Sequence, residues 1–146
     1  MTISRIAKFC ALALSLAATA SFADALPPFS HGTSFSTTGK FVQTDGATLY
    51  RAVCQGCHMP DARGAKGAGE YPALAANPKL AAAAFPATRV LGGWLGMPSF
   101  AANLSDDQVA AVVNYVRTHF DNHYTDTLTA ADVARLRAAF QQGANP

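Results

Sequence analysis

Apolar stripes punctuated by polar caps run through most of the second half of the chain. Ser105-Asp106-Asp107-Gln108 is a capping-box pattern, and Val109, Val112, Val113 and Val116 follow at helical spacing with Tyr115 beside them. This predicts a helix ending near His119 or Phe120. Thr129-Ala130-Ala131-Asp132 repeats the capping signal, and Val133, Leu136 and Phe140 then predict a terminal helix that keeps Arg135 and Arg137 in water. Upstream, Thr44 or Asp45 caps a helix expected from Asp45 to about Val53. Gly46 and Tyr50, four apart, share one of its faces. Asn77-Pro78 starts another helix through Ala84, and Phe85-Pro86 interrupts it. A short helix over Ala87 to Leu91 stops at Gly92-Gly93. Pro60 to Gly69 reads as a solvent-side loop, and no repeat or strand pattern stands out. The expected class is all-α.

The N-terminus has a different pattern. Arg5 and Lys8 precede an apolar run from Phe9 to about Ala20, and small residues permit cleavage after Ala23 or Ala25. The run is short for a membrane span, so residues 1–25 read as a secretory signal peptide with no integral membrane segment left after cleavage. Residues 26–43 form an irregular leader whose Phe29 and Phe35 either pack on the domain or face a partner. The chain has 146 residues, 11 Lys and Arg, and 9 Asp and Glu. That balance gives no basic block for nucleic acid and no strong steering field.

Export also frames the cysteines. Cys10 lies in the apolar run, which leaves Cys54 and Cys57 as the pair in the mature chain. Cys54-Gln55-Gly56-Cys57-His58 has the spacing that attaches c-type haem. Two sulfurs form thioethers to the haem vinyl groups, and the histidine reaches the iron from one face. A bare CxxC also serves as a disulfide, a redox pair or half of a metal site. The chain offers no second cysteine pair to complete such a metal site. The second nitrogen of His58 needs an acceptor, for which the Pro72 carbonyl is the candidate.

Met97, in Gly96-Met97-Pro98, is the candidate for the opposite iron face, with ordinary core packing as its rival role. A soft, neutral thioether there raises the reduction potential relative to a second histidine. Met59 stands too close to His58 to wrap round, and His31, His119 and His123 are lesser distal candidates. Arg89 is a haem-propionate donor or a solvated surface charge. Trp94 is a propionate donor or a core aromatic, and Tyr71 packs on the haem edge or in a generic core. Leu74, Val90, Leu91 and Leu95 are expected to line the apolar pocket.

From Thr44 to Phe120 these residues resemble the class I cytochrome c family. The resemblance implies helices wrapped around one covalently attached haem c, with residues 44–120 as the cytochrome domain and 121–146 as a one-helix C-terminal extension. It also implies that Gly46 and Tyr50 meet Val112 and Tyr115 where the first and last core helices cross. Tyr71-Pro72-Ala73-Leu74 with Asn77-Pro78, Gly96-Met97-Pro98-Ser99-Phe100 and Leu104-Ser105-Asp106-Asp107-Gln108 more narrowly resemble small monohaem cytochromes that serve bacterial dehydrogenases. The narrower resemblance implies a non-catalytic, periplasmic one-electron carrier. Its redox partners would be a flavin, quinoprotein or molybdenum dehydrogenase as donor and another cytochrome or an oxidase as acceptor. A free shuttle to a terminal oxidase is the alternative. A haem peroxidase or gas-binding protein would need an open iron position, against which Met97 argues.

Overall fold

Residues 39–67 and 69–143 are described by the structure, a computed structural model; the expected signal peptide, most of the leader and His31 lie outside them. The described chain begins as an extended segment docked by polar side chains. Asn103 donates from Nδ2 to the Gly39 carbonyl (3.0 Å), and Gln108 donates from Nε2 to the carbonyls of Phe41 (2.9 Å) and Gln43 (2.6 Å). Asp45 then caps the first helix by accepting from the Thr48 N–H at 2.9 Å. α1 (Gly46–Leu49) runs through a π-helical turn (Tyr50–Cys54) into α2 (Gln55–His58). The expected end near Val53 is therefore corrected: the whole Cys54–His58 motif is helical. No proline interrupts before Pro60, and one internal Gly56 costs only ~1 kcal/mol.

Met59 turns the chain out of α2 with φ 66 and ψ 159. In the following loop a two-residue hairpin pairs β1 (Ala65–Lys66) antiparallel with β2 (Glu70–Tyr71), in the register Ala65 to Tyr71. It is too short to leave an alternating pattern in the sequence. Asn77 caps a 3-10 turn (Pro78–Ala81), and α3 (Ala84–Gly92) follows. Phe85-Pro86 does not interrupt this helix. Pro86 lies in its first turn, where a backbone N–H would have no intrahelical partner.

α4 (Asp106–Thr118) begins with both halves of the expected capping box, and α5 (Ala130–Gly143) begins with reciprocal bonds between Thr129 and Asp132. α4 is the central strut: α1, α3 and α5 all pack on it. Its Val109, Val112, Val113 and Val116 share one core with Leu49, Tyr50, Leu80, Leu91, Leu128 and Val133. Gly46 allows the α1–α4 approach, since a Cβ there would stand 2.5 Å from Tyr115 Cβ and closer still to the Ala111 carbonyl. Tyr115 thus meets Gly46 as expected, and the Ala111 backbone is a further close neighbour.

Two arginines behave unlike surface charges. Arg117 is 0% exposed and donates to the carbonyls of Leu80 (2.9 Å), Ala81 (3.0 Å) and Asp126 (2.5 Å) and to Asp126 Oδ1 (2.5 Å). Arg137, expected to stay wet, instead donates to Asp106 Oδ1 (2.7 Å) and to the carbonyls of Ala101 (2.5 Å) and Leu104 (2.9 Å). It ties α5 to the first turn of α4 and to the loop before it, whose carbonyls lie outside any helix ladder. Phe140, expected in the core, is exposed and covers Gly92. Among the described residues, no helix is long and apolar enough to cross a membrane.

Candidate haem-binding site

The Cys54–His58 motif sits at the end of the α1–π–α2 rod. The π turn, closed by the Gln55 N–H on the Tyr50 carbonyl, ends at Cys54. Cys57 lies three residues on, so one turn of helix separates the sulfurs. Cys57 is exposed, whereas Cys54 is half-buried, and burial beside the Cys57 thiol pushes the Cys54 thiol up to about 12. As a free thiol, Cys54 is therefore a poor nucleophile once the chain has folded around it.

His58 is buried, and its Nδ1–H donates to the Pro72 carbonyl at 2.9 Å, the acceptor expected from sequence. The bond fixes the ring and leaves Nε2 as the nitrogen available to a metal. The loop is built to present that carbonyl. Ala62 accepts from the N–H groups of Leu74 (2.7 Å) and Ala75 (2.9 Å), and Gly64 donates to the His58 carbonyl (3.1 Å). Gly64 has φ +68, and a Cβ there would meet Pro72 C at 2.8 Å. Tyr71 is 40% exposed on β2, so it is not a generic core residue. Tyr50 donates its hydroxyl to the Met59 carbonyl at 2.8 Å, a bond that sequence reasoning missed because Tyr50 reads as a packing residue. Burial, and then the neighbouring Cys54, raise the Tyr50 hydroxyl well above the usual phenol range, so it remains a donor.

Met97 lies on a different element. Trp94 and Met97 exchange two backbone hydrogen bonds of 2.9 Å each, closing a turn beyond the end of α3. Gly93, at φ +72, has no room for a Cβ, which would stand 2.6 Å from the Met97 carbonyl. Ser99 Oγ donates to the Leu91 carbonyl (2.5 Å) and the Phe100 N–H to that of Val90 (2.9 Å), folding the turn back on α3. Met97 is half-buried. The Arg89 guanidinium lies 4.1 Å from the Trp94 ring centroid and 5.1 Å from that of Phe85. Arg89 is therefore stacked rather than freely solvated, and Trp94, 58% exposed, is not a core aromatic. Leu91 belongs to the protein core, Leu74 and Val90 pack half-buried against it, and Leu95 is 93% exposed.

Among the described residues, the other two histidines lie elsewhere. His119 donates from Nδ1 to the Tyr115 carbonyl (2.9 Å) and stacks on the Tyr115 ring, while His123 is exposed in the loop after α4. The residues present fit a c-type haem. The two thiols stand one turn apart, the His58 ring is locked with Nε2 free, and Tyr71, Trp94 and Leu95 offer apolar surface. Both candidate ligand-bearing elements are referenced to α4, through α1 and through α3.

Comparison with known proteins supports the same reading. The chain is 34% identical over 114 residues to the fructose dehydrogenase cytochrome subunit of Gluconobacter japonicus, covering 68% of this chain and 23% of that protein. It is 32% identical over 113 residues to the cytochrome c subunit of the quinone alcohol dehydrogenase of Gluconacetobacter polyoxogenes, covering 68% and 24%. To the gluconate 2-dehydrogenase cytochrome c subunit of Pantoea cypripedii it is 34% identical over 104 residues, covering 63% and 24%. The chain thus spans about a quarter of the length of these curated relatives. The spacing of Cys54 and Cys57 matches the haem c attachment motif that such subunits imply. Residues 42–116, just over half of the chain, match the profile described as cytochrome c oxidase, cbb3-type, subunit III, and it is to this family of c-type cytochromes that the chain belongs.

Proposed function

We propose that this chain is a one-electron carrier holding one haem c through thioethers from Cys54 and Cys57, with His58 and Met97 as axial ligands. Bound haem iron supplies reversible Fe(II)/Fe(III) chemistry. The observation that carries the reading is the His58 ring, buried at the end of the Cys-x-x-Cys-His helix and locked through Nδ1 on the Pro72 carbonyl at 2.9 Å. Hydrogen bonding to Pro72 keeps the imidazole oriented and makes it a stronger donor. Met97 supplies a neutral, soft thioether from a turn pinned at both ends, which favours the same coordination in both oxidation states. Arg89 and Trp94, stacked together beside that turn, are the propionate contacts, and Tyr71 packs against the haem edge. No residue of the chain is assigned a catalytic role.

The electron donor is the catalytic subunit of a flavin, quinoprotein or molybdenum dehydrogenase. The similarity to cytochrome subunits of fructose, quinone alcohol and gluconate dehydrogenases supports this class. The acceptor is another cytochrome or an oxidase, and the protein works in the periplasm after removal of the signal peptide. A second reading, a shuttle to a terminal oxidase, is favoured by the oxidase subunit named in the family description.

Export of the full chain in a host with haem-attachment machinery tests the proposal. The expected product is red, heavier than the polypeptide by one haem, and rapidly reduced by its dehydrogenase in stopped-flow mixing. A colourless mature protein refutes the haem, and co-purification with a catalytic subunit separates the dehydrogenase reading from the shuttle.

A further inference from the structure

The residue after His58 holds an unusual backbone. Met59 has φ 66 and ψ 159, a region essentially reserved for glycine, because a Cβ crowds the adjacent peptide. A side chain persists there only when its surroundings fix the peptide. At Met59 the fixing contacts converge on one atom. Its carbonyl accepts from the Tyr50 hydroxyl at 2.8 Å and from the Ala62 N–H at 3.1 Å, while its own N–H donates to the Gln55 carbonyl at 2.9 Å. Tyr50 cannot swing away. It is 1% exposed, and its ring centroid lies 4.9 Å from that of Phe120 and 5.9 Å from that of Tyr115.

His58 is thus restrained from two sides. The Pro72 carbonyl holds the ring through Nδ1, and the strained peptide that follows holds its backbone. The first restraint reaches His58 through the hairpin loop, and the second through the α1–α4 crossing that buries Tyr50. We infer that Tyr50 is a positioning residue for the axial histidine: its hydroxyl locks the Met59 peptide in a glycine-like conformation and so sets the angle at which His58 meets the iron. The inference rests on the haem ligation proposed above and adds to it a residue whose hydroxyl is engaged by a backbone carbonyl.

Tyr50→Phe in the full-length, haem-loaded protein keeps the ring and removes only the donor. The readouts are the ferric EPR g-values, which follow the axial imidazole plane, and the midpoint potential. Both are expected to shift, and the folding constant is expected to fall about 2- to 13-fold for one hydrogen bond. Met59→Gly supplies a residue that adopts the conformation unaided. In that background Tyr50→Phe is expected to leave g-values and potential nearly unchanged, a coupling that a double-mutant cycle measures. If Tyr50→Phe alone does not yield loaded protein, the double variant with Met59→Gly is expected to restore it. Failure to restore it overturns the inference. So does a loss of stability with unshifted spectra, or an equal spectral shift in both backgrounds. A wild-type protein without covalent haem refutes the functional reading as a whole, whereas a loaded protein with unshifted spectra refutes only the role of Tyr50.

Discussion

Arg117→Leu isolates what the buried guanidinium contributes. The substitution keeps an apolar chain in the core and removes four donor contacts at once, to the carbonyls of Leu80, Ala81 and Asp126 and to the Asp126 carboxylate. Their contributions differ. Leu80 is buried, so its carbonyl is left without a partner, at ~1–3 kcal/mol. Ala81 and Asp126 are exposed and regain water. The Asp126 side chain is 67% exposed, so its ion pair adds little. Against these losses stands the relief of no longer burying a charge, so the net cost does not exceed that of the orphaned carbonyl, about 1–3 kcal/mol, below what a broken buried pair usually costs. That is a large part of the roughly 5–15 kcal/mol typical of a whole domain. The assay is guanidinium unfolding of the loaded protein followed by far-UV circular dichroism, with Asp126→Asn as the control. The control keeps the backbone contacts and is expected to lose far less. Equal losses in the two variants, or a loss below about 0.5 kcal/mol for Arg117→Leu, would refute the argument that backbone carbonyls are what this arginine serves.

Met97→Ala is expected to keep covalent haem, lose the far-red methionine–iron charge-transfer band and lower the reduction potential; a retained band would remove Met97 from the iron. Gly46→Val drives side-chain atoms into Tyr115 and Ala111 at the α1–α4 crossing, and a loss of at least ~1–3 kcal/mol should appear as a lowered melting temperature of the loaded protein. Gly64→Ala, at φ +68 and with its new Cβ 2.8 Å from Pro72 C, is expected to displace the carbonyl that orients His58 and to shift the midpoint potential, whereas an exposed Gly67→Ala is not. Asp45 is held below its ordinary value of 3.8 by the Thr48 hydroxyl, Asp126 by the Arg117 hydrogen bond, and Asp132 by Thr129. Their folded values are depressed, so their stabilisation is complete above 3.8 and is lost as the pH falls through the folded values. Unfolding midpoints measured from neutrality downward should fall in that acid window, and a flat profile there would contradict it.

The sequence made legible what repeats or caps: the Ser105 and Thr129 boxes, the valine stripe of α4 and the Cys54–His58 motif, while Gly46 against Tyr115 came from the family resemblance. The Pro72 acceptor was also within reach, because an axial imidazole needs a carbonyl and the loop after His58 has to supply it. Three features were not legible. Arg117 falls at helical spacing from Val113, yet a lone arginine near a helix end reads as a solvated charge until its acceptors are known. Arg137 misleads for the same reason, since its partners lie some thirty residues away in the chain. The glycine-like turn at Met59 is invisible because the residue there is not glycine.

These misses share a physical origin. A small helical domain that encloses a cofactor has long irregular connections, and their carbonyls find no partners in a helix or sheet ladder. Here long polar side chains satisfy them. Gln108 holds the incoming segment at Phe41 and Gln43, and Arg117 holds the 3-10 turn and the Asp126 loop. Asn114 exchanges two hydrogen bonds with the Leu128 backbone, and Asn122 ties Asn77 and Leu74 to the end of α4. Three of these four side chains project from α4, the helix on which α1 and α3 also rest. A single rigid strut therefore references the His58 end, the Met97 turn and the loops between them. That arrangement suits the proposed carrier, whose two candidate ligands would have to keep their places when only one electron comes or goes: the helices that bear them, α1–α2 and α3, rest on the same strut.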